Sequence, residues 1–242
     1  MKVKIGYLYY DLLNLYGENG NILALKKCLE DLNIEVEIHF MTIGDKFKLE
    51  EFDLLYIGAG SEENIKLVLK DFIKYKNDLK KYIDNKKFVL ATGNSIDLFG
   101  KDIEIKNKKI KCLEIFDYNV KYEDFRLIDE ALFECNLINK PFIGFQNQYS
   151  VMENNKHSFF NVLKGIGSSP NDSNEGVHYK NFYGTYLIGP LLIRNPHFLE
   201  YLIKKIVLAK DPNYKFLKFN LDKEYKAYET YIDNFYKEKQ TN

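Results

Sequence analysis

Residues 54–63 read Leu54-Leu55-Tyr56-Ile57-Gly58-Ala59-Gly60-Ser61-Glu62-Glu63. Four apolar residues followed by small ones are typical of a buried strand in a parallel sheet and the loop after it. Ser61 then supplies a hydroxyl cap, and the two glutamates place negative charge at the positive end of a helix. The stretch therefore predicts strand, loop and helix in succession. Helical patterning continues towards Ile83, with a break near Asn77.

The same arrangement recurs along the first half of the chain. Phe88–Thr92 is a second apolar run, and the polar loop Gly93-Asn94-Ser95 follows it. A β-rich start at Lys2–Tyr9, a helical face within Ile22–Leu32 and a strand pattern at Ile34–Met41 complete the series. Repeated βαβ units predict an α/β fold, in which helices cover both faces of a central, mostly parallel sheet.

The second half is richer in strand signals. These lie near Ile103–Leu113, Val120–Leu127, Phe142–Phe145 and Tyr183–Leu187. Pro196 stands at the start of a predicted helix that runs to about Leu208. The segment Asp222–Lys237 carries aromatic residues at helical spacing. We predict one domain over residues 1–210, with a C-terminal docking helix and tail over residues 211–242.

Composition narrows the classes of function. Lys+Arg and Asp+Glu both number 35, so no net charge would attract the whole molecule to nucleic acid. No apolar run approaches the roughly 20 residues of a membrane span. The N-terminus leads directly into a strand without a signal-peptide layout, and the cysteines are odd in number, so we expect a cytoplasmic protein. Cys28, Cys112 and Cys135 lie too far apart for a metal or redox motif, and no metal or cofactor is expected.

Four stretches, with a fifth and weaker one, together carry a family resemblance. They are Leu13–Asn21, Asp53–Ser61, Leu90–Gly100 and Glu175–Pro190, with Gly144–Gln148 as the fifth. In order and spacing they resemble the GatD branch of the class I glutamine amidotransferases, which is related to the CobB/CobQ-like amidotransferase domains of cobyric acid synthases. The resemblance implies a flavodoxin-like three-layer fold around the mostly parallel sheet.

The chemistry of that family is nucleophilic. A cysteine on a sharp strand-to-helix turn, the nucleophile elbow, attacks the side-chain amide of glutamine, and a histidine transfers the proton. In this chain the cysteine position falls on Gly93 and the histidine position on Ile188. Gln148 stands where the family tends to place a further histidine. Because neither glycine nor isoleucine can attack an amide or transfer a proton, we predict that the chain does not hydrolyse glutamine.

The loop that resembles the family's oxyanion loop is retained. We predict that Gly58, Gly60, Ser61, Asn94 and Ser95 bind an anion or an amide oxygen through backbone N–H groups and polar side chains. The alternative is that the loop needs small residues only for close packing. Both interpretations remain open from the sequence.

A displaced nucleophile is the other alternative. Thr92 would offer a hydroxyl if the alignment slipped by one residue, and Ser95 lies just inside the following turn. Cys112 is the cysteine that follows the elbow, although its β-rich surroundings do not suggest a second elbow. Any of these would need a nearby base to react.

The resemblance also implies a partner. In the family, the GatD-type subunit supplies ammonia to a MurT-type ligase, which resembles the Mur peptide ligases and amidates D-glutamate in the peptidoglycan precursor lipid II. We therefore expect a non-catalytic partner or regulatory subunit of a MurT-like ligase. The alternatives are an active amidotransferase with a displaced nucleophile, and a sensor that binds glutamine or a related amino acid without turnover.

Overall fold

The computed structural model describes residues 1–236, which form two six-stranded sheets and six α-helices. In chain order the strands are β1 (Lys2–Leu8), β2 (Glu35–Met41), β3 (Leu54–Ile57), β4 (Phe88–Thr92), β5 (Asp102–Ile105), β6 (Lys108–Lys111), β7 (Asn119–Cys135), β8 (Ile138–Glu153), β9 (Phe160–Lys164), β10 (Asn174–Glu175), β11 (Val177–Tyr179) and β12 (Phe182–Thr185). The helices are α1 (Asn19–Asp31), α2 (Glu62–Phe72), α3 (Lys76–Asp84), α4 (Leu191–Arg194), α5 (Pro196–Lys210) and α6 (Asp222–Phe235).

The first sheet has the strand order β11-β12-β4-β3-β1-β2. All neighbours pair in parallel except β11, which runs antiparallel to β12. Strands β3 and β4 lie in the middle and are buried along their whole length. Their apolar runs are the pattern that a sheet covered on both faces requires. The predicted mostly parallel central sheet is confirmed.

Helices cover both faces of this sheet, because successive side chains of a strand point to opposite sides. Leu54 and Tyr56 of β3 belong to a core that also contains apolar residues of α1 and α5. Leu55 and Ile57, on the other face, pack in a second core with residues of α2 and α3. The three-layer α/β arrangement expected from the sequence is present.

The break in the predicted long helix lies earlier than expected. It falls at the 3₁₀ turn Ile73–Tyr75, a few residues before the predicted position near Asn77, and α3 begins at Lys76. The predicted start is correct, since Ser61 caps α2 by accepting a hydrogen bond from Asn64 N at 3.2 Å. The cap thus fixes where the helix follows the loop.

The second sheet was not foreseen as a separate unit. The stretch Ile103–Leu113 contains two strands, β5 and β6, joined at Lys106 and Asn107, which both have positive φ. Strands β7 and β8 form a long antiparallel hairpin that extends well beyond the predicted 120–127 and 142–145. Charged residues on the exposed face of β7 and shifts in its register obscure the alternation in the sequence.

The C-terminal helix α6 packs against β8 and α5 through its aromatic side chains. Tyr228 of α6 is buried, and its hydroxyl donates to Pro141 O at 2.8 Å. Tyr225 donates to a carboxylate oxygen of Glu200 on α5 at 3.1 Å. Lys237, the predicted end of this helix, lies outside the described residues. The aromatic face therefore packs within the chain.

Candidate functional site

A sharp turn links the central strand β4 to the helical turn that follows it. The strand ends at Thr92, and Gly93 has a φ of +61° at the start of the 3₁₀ turn Gly93–Phe99. A left-handed residue at a strand-to-helix turn is the backbone shape of a nucleophile elbow, and glycine adopts it without a side-chain penalty. The elbow backbone is therefore present at Gly93, the position to which the resemblance assigns the cysteine.

No space is left for a side chain at this elbow. A Cβ atom added to Gly93 would lie 2.5 Å from Ala59 Cβ and 2.9 Å from Ile188 Cγ2. Both distances are shorter than non-bonded carbon atoms allow, since carbon pairs have their optimal separation at about 3.5–4.0 Å. The methyl groups of Ala59 and Ile188 thus fill the volume that a nucleophile would need.

Ile188 packs against the elbow although it lies much later in the sequence than Gly93. It follows β12, and its N–H donates to Phe145 O of β8 at 2.9 Å, which ties the two sheets together. Its side chain is buried. The structure thus brings together the two positions that the resemblance paired, Gly93 and Ile188, and both carry groups without acid–base or nucleophilic chemistry.

The loop that resembles an oxyanion loop is closed by an internal pair of hydrogen bonds. Gly60 N donates to Asn94 Oδ1 at 3.1 Å, and Asn94 Nδ2 donates back to Gly60 O at 2.8 Å. The N–H of Gly60, which could otherwise bind an oxyanion, is therefore occupied. A Cβ on Gly60 would lie 2.9 Å from Leu12 O, so this glycine is also required for close packing.

The other predicted ligand-binding residues are engaged within the protein. Gly58 lies against Leu13 and Glu18, with its Cβ position 2.5 Å from Leu13 O. The hydroxyl of Ser61 caps α2, and Ser95 Oγ donates to Thr92 O at 2.9 Å in the buried interior. Gly60, Ser61 and Asn94 line a common cavity, whereas Ser95 lies outside it.

None of the alternative nucleophiles is placed to react. Thr92 is buried, and its hydroxyl donates to the carboxylate of Glu18 below the elbow. Cys112 lies in the hydrophobic core, where burial raises the pKa of its thiol. A protonated, inaccessible thiol is not a nucleophile. The structure therefore gives no support to a displaced nucleophile at either residue.

Glu18 is a buried acid beneath the elbow to which the sequence alone assigned no role. The hydroxyls of Tyr56 and Thr92 both donate to its carboxylate, and Asn21 Nδ2 donates to Tyr56 OH at 2.8 Å. Burial raises the pKa of Glu18. The network joins α1, β3 and the end of β4, so it fixes the elbow from below.

A cavity of about 140 Å³ remains beside the elbow. Its walls come from the second sheet, the start of α2 and the loops and turns around the elbow, and the lining residues are Leu15, Tyr16, Ala59, Gly60, Ser61, Glu62, Asn94, Arg126, Asn147 and Ile188. Arg126 of β7 donates to Asn147 Oδ1 at 2.7 Å and to Glu62 Oε1 at 3.1 Å. Its guanidinium lies 4.1 Å from the ring centroid of Tyr149. No sequence motif points to this arginine, because it lies outside all of the stretches that carry the family resemblance.

Two further buried acids lie behind the site and share Tyr186. Its backbone N–H donates to Glu175 Oε1 at 2.6 Å, and its hydroxyl donates to Asp97 Oδ1 at 2.8 Å. Ser150 Oγ also donates to Asp97, and Thr185 Oγ1 donates to Glu175. Burial raises the pKa of Asp97 to about 7 and the pKa of Glu175 to about 8. This segment leads directly into Ile188.

The described residues contain neither a membrane-spanning helix nor a cluster of side chains suited to a metal ion. In residues 1–236, no helix is long and apolar enough to cross a bilayer. Over the same residues, no group of three or more histidine, cysteine, aspartate or glutamate side chains is arranged to hold a metal ion.

The fold and the elbow define the class of protein. Two solved structures of glutamine amidotransferases share the fold: one has a TM-score of 0.54 at 16% identity and covers 84% of this chain and 98% of its own. The other, from Thermotoga maritima, has a TM-score of 0.50 at 13% identity and covers 94% and 89%. The architecture is that of a class I glutamine amidotransferase.

The particular family follows from the sequence matches. Residues 4–196 match the CobB/CobQ-like glutamine amidotransferase domain, and the chain belongs to that family. It is similar to the GatD subunit of the glutamine-hydrolysing lipid II isoglutaminyl synthase of Streptococcus pneumoniae, with 29% identity over 94% of this chain and 86% of that protein. The corresponding GatD subunit of Staphylococcus aureus is 28% identical over 99% of both chains.

Proposed function

We infer that the chain is a GatD-like subunit that has lost glutamine hydrolysis and acts in the cytoplasm as a non-catalytic partner of a MurT-like ligase in lipid II amidation. Support comes from the two relatives, which align over nearly the whole chain and are named as subunits of lipid II isoglutaminyl synthases. Family membership by itself would favour an active glutaminase. The geometry of the elbow favours the loss of that activity.

The observation that carries the proposal is the filled elbow. Gly93 offers no nucleophile, and Ala59 and Ile188 occupy the space where one would lie. In addition, the side-chain oxygen of Asn94 accepts the hydrogen bond of Gly60 N–H, so that this group is not free to bind an oxyanion. Random loss of a cysteine would leave a void, and buried voids are destabilising. Here the neighbouring residues pack into the vacated volume, which is the arrangement expected if selection has maintained the fold without the reaction.

A binding role is supported by exposed apolar residues at the mouth of the cavity. Leu15 and Tyr16 line the cavity and are 43% and 37% exposed, respectively. The backbone of Tyr16 lies near Gly189, and Pro190 and Ile193 continue the surface against Gly20. We call Leu15, Tyr16, Pro190 and Ile193 the apolar rim. Contiguous exposed apolar residues are typical of protein contact sites.

The test is reconstitution of ligase activity with different nitrogen donors. The full chain is co-expressed with a MurT-like ligase from the same genome, and the complex is assayed on lipid II. We expect a stable complex that uses ammonium chloride but not glutamine. Failure of the two chains to associate, or amidation driven by glutamine, would contradict the proposal.

The cavity favours one second candidate, a sensor of free amino acids. Arg126 and Glu62 present opposite charges at the cavity, which suits the carboxylate and ammonium groups of an α-amino acid. The volume is smaller than the roughly 300–1,000 Å³ of a drug-sized site and fits a small ligand. Titration calorimetry with glutamine, glutamate and their D-isomers tests this candidate, with Arg126→Met as the control. An absence of heat from every ligand would exclude it.

A further inference from the structure

Strand β2 ends the first sheet and has an open edge. Glu35 N donates to Met1 O, and Met41 O accepts from Tyr10 N, so odd-numbered residues of β2 turn their backbone groups towards the sheet. The even-numbered residues Val36, Ile38 and Phe40 therefore turn theirs outwards. Within residues 1–236, no strand or side chain pairs with these outward groups.

Apart from the charges of Glu35 and Glu37, this edge lacks the features that usually prevent pairing. The strand contains no proline, and its register with β1 is unbroken from Lys2–Glu35 to Leu8–Met41. Natural edge strands are normally protected by proline, bulges, lysines or a covering element. Beside the edge, a groove of about 500 Å³ separates β2 from α1, and Phe40 and Leu23 project there with more than half of their surfaces exposed.

We propose that β2 pairs antiparallel with β2 of a second copy of this chain, about a two-fold axis at Ile38. Ile38 then lies opposite Ile38, Val36 lies opposite Phe40, and Glu37 lies opposite His39 on both sides of the axis. Even positions meet even positions, so the outward N–H and C=O groups form hydrogen-bonded pairs. Glu37 and His39 meet at the non-hydrogen-bonded positions, where side chains of opposite strands are closest.

Charge selects this register over its neighbours. An axis at Glu37 would place two glutamates opposite each other, which is destabilising, and an axis at His39 would oppose two histidines. Within one protomer, His39 Nε2 already lies 2.5 Å from a Glu37 carboxylate oxygen, and Lys2 Nζ lies 3.1 Å from the other. Pairing about Ile38 instead places each His39 ring opposite a Glu37 carboxylate, to which an imidazole N–H can donate a hydrogen bond.

The same axis covers apolar surface. Phe40, which is 53% exposed, comes to lie beside Val36 of the partner copy. The two α1 grooves fall on the same face of the joined sheet, because a two-fold axis perpendicular to the sheet preserves its faces. Leu23 and Phe40 of both copies thereby share one apolar seam, and a continuous sheet runs through both chains.

Sedimentation velocity on the full chain, over a dilution series, tests the dimer. We expect a monomer–dimer equilibrium, and His39→Glu, which places like charges opposite each other twice, should raise the dissociation constant by about tenfold or more. The charge-reversed pair Glu37→Lys with His39→Glu should restore dimerisation. Glu35→Gln is the matched control, because position 35 faces Met41 and its change should leave the equilibrium unaltered.

Thermal melts of each variant establish that the fold is intact. A wild-type chain that sediments as a monomer up to high micromolar concentration would overturn the proposal. A dimer that His39→Glu leaves unaffected would overturn it equally, since such a dimer must use another surface. If the double variant Glu37→Lys with His39→Glu dimerises no more strongly than His39→Glu alone, the Ile38 register is excluded.

Discussion

Ile188 packs against Gly93 so closely that a Cβ atom at position 93 would lie 2.9 Å from Ile188 Cγ2. The family resemblance assigns these two positions to the base and the nucleophile, and in this chain they form a packing contact. Ala59 completes the contact from the loop after β3. The elbow is thus packed as part of the buried interior, which is the observation on which the proposed loss of glutamine hydrolysis rests.

Restoring the thiol alone is expected to damage the protein. Gly93→Cys forces a non-glycine residue to a φ of +61°, at a cost of about 1–2 kcal/mol, and adds overpacking of about 1–3 kcal/mol. Urea unfolding should show a loss of about 2–5 kcal/mol in the free energy of unfolding. Gly93→Cys should cost less stability in an Ala59→Gly background than in the wild-type chain, because removing the Ala59 methyl group makes room for the new side chain. If Gly93→Cys is as stable as the wild-type chain, the claim that Ala59 and Ile188 fill the space at the elbow is contradicted.

The buried acids Asp97 and Glu175 predict that stability falls as the pH rises. Their pKa values are raised by burial from 3.8 to about 7 and from 4.5 to about 8. A raised pKa means that the folded state binds these protons more tightly than the unfolded state does. The two acids therefore contribute their full stabilisation below about pH 4, and this contribution is lost as the pH rises to about 8. Each group contributes a slope of up to about 1.4 kcal/mol per pH unit.

The pH dependence is measured by urea unfolding between pH 5 and pH 8.5, that is, across roughly the interval that the two raised pKa values define. Asp97→Asn keeps one oxygen that accepts from either Tyr186 or Ser150 and cannot ionise, so it should flatten the curve up to about pH 7. Glu175→Gln should remove the remaining dependence at higher pH. A wild-type curve that rises across this range would refute the assignment.

His197 is expected to destabilise the chain where it stands. Its ring is buried between Phe142 and Tyr228, and within residues 1–236 neither ring nitrogen has a hydrogen-bond partner. Burial lowers the pKa of His197 to about 4, so this ring increasingly destabilises the folded state as the pH falls from about 6.5 towards 4.

Replacing this ring by one without polar atoms should therefore stabilise the protein. We expect His197→Phe to raise the free energy of unfolding by about 1–3 kcal/mol at neutral pH and by more at pH 5. Thermal denaturation at both pH values measures the difference. The opposite ordering, with a larger gain at neutral pH, would show that titration of this ring is not involved.

The apolar rim is predicted to contact the ligase. Leu15→Asp should weaken association with the MurT-like ligase by about tenfold or more, because a charge would be buried at the contact. Leu163→Asp is the matched control, since Leu163 of β9 is similarly exposed but far from the cavity in the chain. Biolayer interferometry on the two variants separates a specific contact from a general effect. Equal weakening by both variants would refute the prediction that the apolar rim contacts the ligase.

Much of the central fold was predictable because its signals are local. The apolar runs Leu54–Ile57 and Phe88–Thr92, the Ser61 cap and the elbow at Gly93 depend on neighbours in the sequence. The second sheet was missed for the opposite reason. Its long hairpin is half-exposed, carries charges on one face and contains register shifts, so the alternating pattern is interrupted.

The site itself was only partly predictable. Gly93 and Ile188 could be paired by resemblance, but the role of Ala59 depends on a contact between two loops that only the folded chain brings together. The reciprocal bonds of Asn94 with Gly60 and the position of Arg126 at the cavity are also tertiary facts. Pattern and propensity carry no information about such contacts.

Glutamate release from glutamine is the most direct measurement of the central claim. The purified chain is assayed alone and in complex with its MurT-like ligase, with the Streptococcus pneumoniae GatD complex as the positive control. We predict no glutamate above the enzyme-free blank in either form. Turnover that is retained in the wild-type chain and abolished by Cys112→Ala or Thr92→Val would contradict the account.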